Sequence, residues 1–291
     1  MNFTKMHALG NDFVFVELFT QKLDDPASFA RFVSHRKYGI GSDGLILISS
    51  SDNAQLKMTM YNSDGTKAQM CGNALRCLGK YAYTRKLVGS ESFLVETDSG
   101  IKPVSVTVED GKVVSVRANI GEPNFTPEKI PCSTLLWDTP VTVVDKEFRL
   151  FSASVGNPHC AVFVDDVCDV DLPKYGSALE NSELFPERTN VEFLQIIDRG
   201  KVKMRVWERG CGETWACGTG SSASAAMGIK SGVLDNRVSM IQPGGTLVIE
   251  WNDDGNGIYM TSDAEFVFDG TVDTGTLEIF ERKYEHVSEG F

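Results

Sequence analysis

"CGTGSSASAAMGIKSG", residues 217–232, is the stretch that decides the fold. From Gly218 to Met227 it holds only Gly, Thr, Ser, Ala and one Met. A helix of side chains this small lets neighbours approach from every direction, and it has no strongly polar face to turn to water. It reads as a central helix wrapped by a curved sheet, not as a surface helix. Cys217 stands just ahead of it, at the expected helix N-terminus.

An earlier stretch opens the same way. "CGNALRCLGKYAYTRKL", residues 71–87, starts on Cys-Gly and continues with Leu75, Leu78 and Tyr81 at helical spacing. Cys71-Gly72 recurs 146 residues on as Cys217-Gly218. At the same offset Gly10-Asn11 falls on Gly156-Asn157, and Tyr61-Asn62 falls on Trp207-Glu208. A period this long is no solenoid. One offset kept at three landmarks describes two similar domains related by a pseudo-twofold axis.

Around these helices the chain is rich in strands. Runs such as "GLILIS" (44–49), "LKMTMY" (56–61), "VEFLQII" (191–197) and "KVKMRVWE" (201–208) alternate apolar and polar residues or are short and rich in Val and Ile. "EDGK" (109–112) and "DDGNG" (253–257) are hairpin signals. Only one further helix is expected, over "DPASFARFVSHRK" (25–37). The class is α+β with mostly antiparallel sheet.

Bulk properties narrow the function. The chain has 291 residues, room for two domains with a core each. Its net charge is −12 and its pI about 4.9, which disfavours nucleic acid and anionic membrane surfaces as partners. No apolar run approaches the roughly 18 residues of a membrane span. "MNFTKMHALGNDF" carries no export signal core. Seven cysteines with no such signal indicate free thiols in a reducing cytoplasm.

Cys71 and Cys217 carry the chemistry. A helix N-terminus presents backbone N–H groups and the positive end of the dipole, which favours a thiolate and binds a carboxylate. Two such loci facing each other suit inversion at a carbon bearing an acidic hydrogen: one sulfur takes the α-proton and the other returns a proton to the opposite face. No cofactor is required, and no nucleotide-binding glycine loop is present. The spacings Cys71-x5-Cys77 and Cys211-x5-Cys217 are too long for a zinc ligand pair, and six helical residues turn roughly 240°, so no metal is expected. Cys77, Cys132, Cys160, Cys168 and Cys211 read as inert buried thiols.

Other polar residues have plain explanations beside the functional one. Asn11 and Asn157 each follow a glycine, a common turn signature, but their matched positions relative to the cysteines point to a site. "GNPH" places His159 near Asn157, although a lone His is more often a hydrogen-bonded structural residue. Glu208 and Arg209 form either an exposed ion pair or a clamp for an ammonium and a carboxylate. Tyr61, Trp207 and Trp215 read as core.

With "HALGNDFVFVE" (7–17), "GIGSDG" (39–44), "YNSDGTKAQMCGNALRC" (61–77), "GNPHCAVFV" (156–164), "RTNVEF" (188–193), "ERGCGETWACGTGSSA" (208–223) and "QPGG" (242–245), the chain resembles the diaminopimelate epimerases from about residue 3 to 280. The resemblance implies two domains, each a curved sheet around a central helix. Residues 1–118 would form the first, joined by a returning segment 265–291, and residues 119–264 the second. It implies a cytoplasmic isomerase that interconverts LL- and meso-diaminopimelate without cofactor, in lysine and peptidoglycan precursor synthesis, as a homodimer. Cys71 and Cys217 match the catalytic cysteines, Cys71 as proton acceptor and Cys217 as donor from LL to meso. His159 and Glu208 match residues that tune the thiols. Asn11, Asn62, Asn73, Asn157, Asn190, Glu208, Arg209 and Thr219 match substrate-contacting side chains, and Gly72 and Gly218 match backbone donors. Gly44 departs from a common Gln, Met70 from a common Gln, and "GNAL" from Gly-Asn-Gly-Ala.

The alternatives are another cysteine-pair racemase of the proline racemase kind, a phenazine-biosynthesis-like isomerase that lacks the pair, and a binding module without turnover. Asn62, Asn157, Asn190 and Arg209 are more polar groups than proline needs. Two retained cysteines argue against the last two readings.

Overall fold

The computed structural model describes residues 1–68, 70–276 and 280. The residues after about 280, which lie beyond the resemblance, and most of the end of the expected returning segment fall outside the described residues. The chain divides into two compact units, Met1–Val116 with the chain from Asp263 onward, and Arg117–Ser262.

The first unit runs β1 (Asn2–Ala8), β2 (Asn11–Glu17), α1 (Pro26–Ser34), β3 (Gly44–Ser49), β4 (Leu56–Asn62), β5 (Lys67–Ala68), α2 (Gly72–Thr84), β6 (Ser92–Thr97), β7 (Gly100–Glu109) and β8 (Lys112–Gly121), whose last residues enter the second unit. The second runs β9 (Thr139–Val143), β10 (Lys146–Ser154), β11 (Pro158–Phe163), α3 (Leu172–Glu180), β12 (Asn190–Asp198), β13 (Lys201–Glu208), β14 (Gly212–Thr214), α4 (Gly218–Lys230), β15 (Arg237–Gln242), β16 (Gly245–Glu250) and β17 (Ile258–Ser262). β18 (Glu265–Thr271) then returns to the first unit and pairs antiparallel with β1.

The 146-residue offset holds in three dimensions within each unit. Helices α1 and α3 occupy residues 26–34 and 172–180, and α2 and α4 occupy 72–84 and 218–230. Phe13 pairs with Gly44 where β2 meets β3 in parallel, and His159 pairs with Asn190 where β11 meets β12 in parallel. β4 and β6 are parallel, as are β13 and β15. The remaining registered pairings in each unit are antiparallel, among them β1–β2, β3–β4 and β6–β7, and their counterparts β10–β11, β12–β13 and β15–β16. Among the described pairings the sheets are therefore mixed, with two parallel joints in each unit.

α4 is buried without interruption from Gly220 to Gly228 and packs against β10, β11, β12, β15, β16 and β17. Small residues make this close approach possible: a Cβ on Gly228 would stand 2.3 Å from Leu234 Cδ1. α2 is buried from Gly72 to Gly79. Each fully buried Leu, Val or Phe around these helices contributes about 1.5–3 kcal/mol relative to exposure.

α3 was not among the expected helices. "LPKYGSALE" holds a proline and a glycine and has weak helical periodicity, yet Asp171 caps it by accepting from Lys174 N at 3.2 Å. Asp25 caps α1 in the same way, accepting from Ser28 N at 3.1 Å. Trp215, expected in the core, is 72% exposed. It stands in the short segment between β14 and α4, outside the strands and helices that form the core. Cys168 and Cys211 are also exposed, while Cys77, Cys132 and Cys160 are buried as expected.

Candidate active site

Each cysteine is the N-cap of its central helix, in extended backbone geometry: Cys71 for α2 and Cys217 for α4. Beyond this the two loci are built from different materials.

At the first, half-buried Cys71 places Sγ 3.8 Å from Asn11 Oδ1. The same oxygen accepts from Asn73 Nδ2 at 3.0 Å, and Asn73 Oδ1 accepts from Arg76 Nη2 at 2.8 Å. Asn11 Nδ2 donates to Asp43 at 2.6 Å. Arg36 bridges Asp43 and Asp12, and Lys5 pairs with Asp12 at 2.9 Å. Arg76 is fully buried one and a half turns inside α2. Burial pulls its pKa down, opposed by the charges of Cys77, Cys71 and Asp263. Asn62, at the end of β4, donates to Thr66 Oγ1 at 3.0 Å. Gly72 and Asn73 form the buried start of α2. Gly44 leaves no room for a side chain, since its Cβ would lie 2.7 Å from the Tyr61 carbonyl oxygen.

At the second, buried Cys217 accepts from Gly220 N at 3.3 Å and lies 3.6 Å from Thr219 Oγ1. Its own N–H donates to Gln242 Oε1 at 2.8 Å. Burial first, and then the carboxylates Glu208 and Glu192, push the thiol well above its ordinary pKa; Thr219 and the Gly220 N–H pull back less strongly. The expected lowering of this thiol by its helix N-terminus is thus overturned: desolvation and two nearby anions outweigh the cap. Glu208 accepts from Thr214 Oγ1 at the end of β13. Asn190 donates to the Pro158 carbonyl oxygen at 2.9 Å and accepts from Arg209 N at 2.9 Å. The Arg209 guanidinium donates to the Glu187 carbonyl oxygen at 3.0 Å. His159 Nε2 lies 3.0 Å from Asn157 Oδ1, and His159 Nδ1 lies 2.7 Å from Glu192 Oε1. Gly218 and Thr219 are half-buried in the first turn of α4.

Asn11 and Asn73 gather at Cys71, and Thr219 and Glu208 at Cys217, with His159 and Asn157 joined to that locus through Glu192. Asn62 bonds Thr66, and Asn190 and Arg209 bond each other, Pro158 and Glu187. Sequence reasoning missed Arg76, Glu192 and Gln242. Gln242 was read only as part of a turn, and Glu192 lay inside the apolar run "VEFLQII", where its charge was the sole signal.

A profile of the diaminopimelate epimerases matches residues 3–126 and 151–267. The chain belongs to the diaminopimelate epimerase family. A diaminopimelate epimerase of Agathobacter rectalis is 47% identical over 283 residues, covering 94% of this chain and 99% of that one. One from Methanococcus maripaludis is 46% identical over 276 residues, covering 94% of this chain and all of its own. Among solved structures, a phenazine biosynthesis protein of the PhzF family from Bacillus anthracis superposes with a TM-score of 0.67 at 18% identity, covering 94% of this chain and 99% of that one. A hydroxyproline epimerase from Agrobacterium vitis gives 0.65 at 15%, covering 94% and 90%. These two show the fold alone. The family match separates the chain from both. Among the described residues, no group of three or more His, Cys, Asp or Glu is arranged to hold a metal, and no helix is long and apolar enough to cross a membrane.

Proposed function

We propose that the chain interconverts LL- and meso-2,6-diaminopimelate by a cofactor-independent two-base mechanism. The reaction asks for a base on one face of an α-carbon and an acid on the other. From LL to meso, Cys71 as thiolate takes the α-proton and becomes a thiol. The electron pair left behind delocalises into the substrate carboxylate, where helix N–H donors of Gly72 and Gly218 stabilise it. The Cys217 thiol then delivers its proton to the opposite face and becomes a thiolate. One proton enters and one leaves, and the reverse reaction exchanges the roles.

The observation that carries the assignment is the setting of Cys217, buried beside Glu208 and Glu192 and so held as a proton donor. Asn11, Asn73 and the buried cation of Arg76 surround Cys71, a setting that tolerates negative charge. Asn62, Asn157, Asn190, Arg209 and Thr219 are the side chains assigned to the substrate, with Arg209 on the carboxylate of the non-reacting centre and Glu208 also turned to its ammonium. His159 and Glu208 tune the thiols. The enzyme works as a cytoplasmic homodimer in lysine and peptidoglycan precursor synthesis.

Purified protein without added cofactor should convert LL- to meso-diaminopimelate and, in deuterated water, place deuterium on the product α-carbon. Loss of activity on removing a metal or pyridoxal phosphate would overturn the reading.

A further inference from the structure

Glu192 is assigned neither a proton-transfer step nor a substrate contact above, yet it is one of the few charged side chains with no exposed surface. It points from β12 toward the first turn of α4. A Cβ on Gly220 would stand 2.5 Å from Glu192 Oε1 and 3.1 Å from Cys217 Sγ, so the carboxylate and the sulfur share the space left by that missing methyl. Glu192 Oε1 also meets His159 Nδ1 at 2.7 Å, and the far ring nitrogen meets Asn157 Oδ1 at 3.0 Å. The other carboxylate oxygen, Oε2, is buried with no hydrogen-bond partner among the described residues. A buried acidic side chain with one unpartnered oxygen acts strongly on its neighbours, because little water screens it.

The duplicated fold supplies an internal control. At the offset of 146, Glu192 falls on Ile46, His159 on Phe13 and Gly220 on Ala74, all three buried and apolar or small. The first unit builds the same wall behind its cysteine-capped helix without charge. The Glu192–His159 pair is therefore no requirement of the fold.

We propose that Glu192 is a positioning residue for the reaction assigned above: through the first turn of α4 and through His159, it keeps Cys217 in the role of proton donor and holds Asn157 at the substrate. Cys217 Sγ is the group acted on, and Glu192 touches no substrate. The other groups round Cys217 are Glu208 at the end of β13, Gln242 on β15 and Thr219 on α4 itself. Cys160 on β11 also feels Glu192, behind its own burial. The charged residues of β10 and β15, namely Lys146, Glu147, Arg149 and Arg237, are exposed, and Glu250 of β16 pairs with Arg117.

The inference rests on the two-base reading, so its test reads the thiol without turnover. Alkylation of Cys217 by iodoacetamide, followed across pH by peptide mapping, gives its ionisation midpoint in the full-length protein. Glu192→Gln keeps the shape and removes the charge. The midpoint should fall by about one pH unit, roughly a tenfold gain in reactivity below it, with Cys71 unchanged. In turnover, kcat should fall in both directions while KM moves less than about twofold. Glu192→Asp should restore most of the midpoint. Gly220→Ala, which displaces the carboxylate without removing it, should move the midpoint the same way by a smaller step and stands in where the Gln variant fails to fold. An unchanged Cys217 midpoint in a folded variant overturns the proposal, whatever the substrate of the enzyme proves to be.

Discussion

The two cysteine-capped helices begin alike and are wired in opposite senses. Below the cap of α2 sits a buried cation, Arg76, where α4 has Ser222 at the matched position. Beside the cap of α4 sits a buried carboxylate, Glu192, where the first unit has Ile46. Cys217 Sγ is tied down by its own helix through Gly220 N, whereas Cys71 Sγ reaches out to Asn11. A duplicated scaffold gives two equivalent helix ends, and equivalent ends would give two equivalent thiols. A two-base enzyme needs one proton acceptor and one donor at the start of each turnover. In the proposed two-base reading, buried charge of opposite sign would supply that difference without disturbing the shared backbone.

The largest effects should come from removing the sulfurs. Serine keeps the shape and is a far weaker base at neutral pH, so Cys71→Ser and Cys217→Ser should each cut epimerisation by roughly 10²–10⁴-fold. The two variants should fail differently. With Cys217→Ser, Cys71 still takes the α-proton of the LL substrate, so that substrate should exchange with deuterated water without inverting. With Cys71→Ser, exchange from the LL side should vanish. Equal exchange in both variants would mean that the two loci are interchangeable, and the contrast in their wiring would lose its meaning.

Next in size is Arg209. Its backbone N–H is fixed by Asn190 and its guanidinium reaches the Glu187 carbonyl oxygen. The residue 146 positions earlier is Ser63, so the first unit has no equivalent. Arg209→Ala should lower kcat/KM for diaminopimelate by about 2–3 kcal/mol of transition-state stabilisation. A value near wild type would confine Arg209 to holding the Glu187 loop.

How much of this was legible in the sequence depended on the kind of signal. The cysteine caps, the small-residue helix and the offset were readable because Gly, Cys and small residues are rare in such runs. "KVKMRVWE" coincides with β13 because period-2 patterning survives in a half-buried strand, and "GLILIS" with β3 because a short apolar run rich in Ile and Leu marks a strand buried on both faces. Eight strands, β1, β5, β6, β10, β14, β15, β17 and β18, have no matching run among the expected ones, and α3 has none although the offset applied to α1 places it at 172–180. The charge wiring was the least legible part. Arg76 lies in a run read for its Leu and Tyr spacing, and Glu192 in one read for its apolar residues. Only tertiary packing reveals that each charge is buried next to a sulfur. The reversal of the Cys217 thiol has the same origin, since helix ends are visible in a sequence and desolvation is not.

The smallest expected effect tests the outer part of the first locus. Desolvation alone would push the Asp12 carboxyl up, but hydrogen bonds and charges from Arg36 and Lys5 outweigh it and hold its pKa below the ordinary 3.8. A carboxyl lowered in the folded state contributes stability that is complete above the unfolded value and is lost as pH falls through the folded value. Arg36→Gln removes part of that lowering. The folded value should rise toward the unfolded one, and acid unfolding, followed by circular dichroism, should begin at higher pH than in the wild type. At neutral pH the loss should stay under about 1 kcal/mol, because the Arg36 side chain is 60% exposed and well screened. Arg36 also holds Asp43, which accepts from Asn11 beside Cys71. The variant should therefore raise KM slightly while leaving the Cys217 alkylation midpoint where it was. A shift at Cys217 would show that the two charge systems are not independent, and that this thiol answers to the first unit as well as to its own.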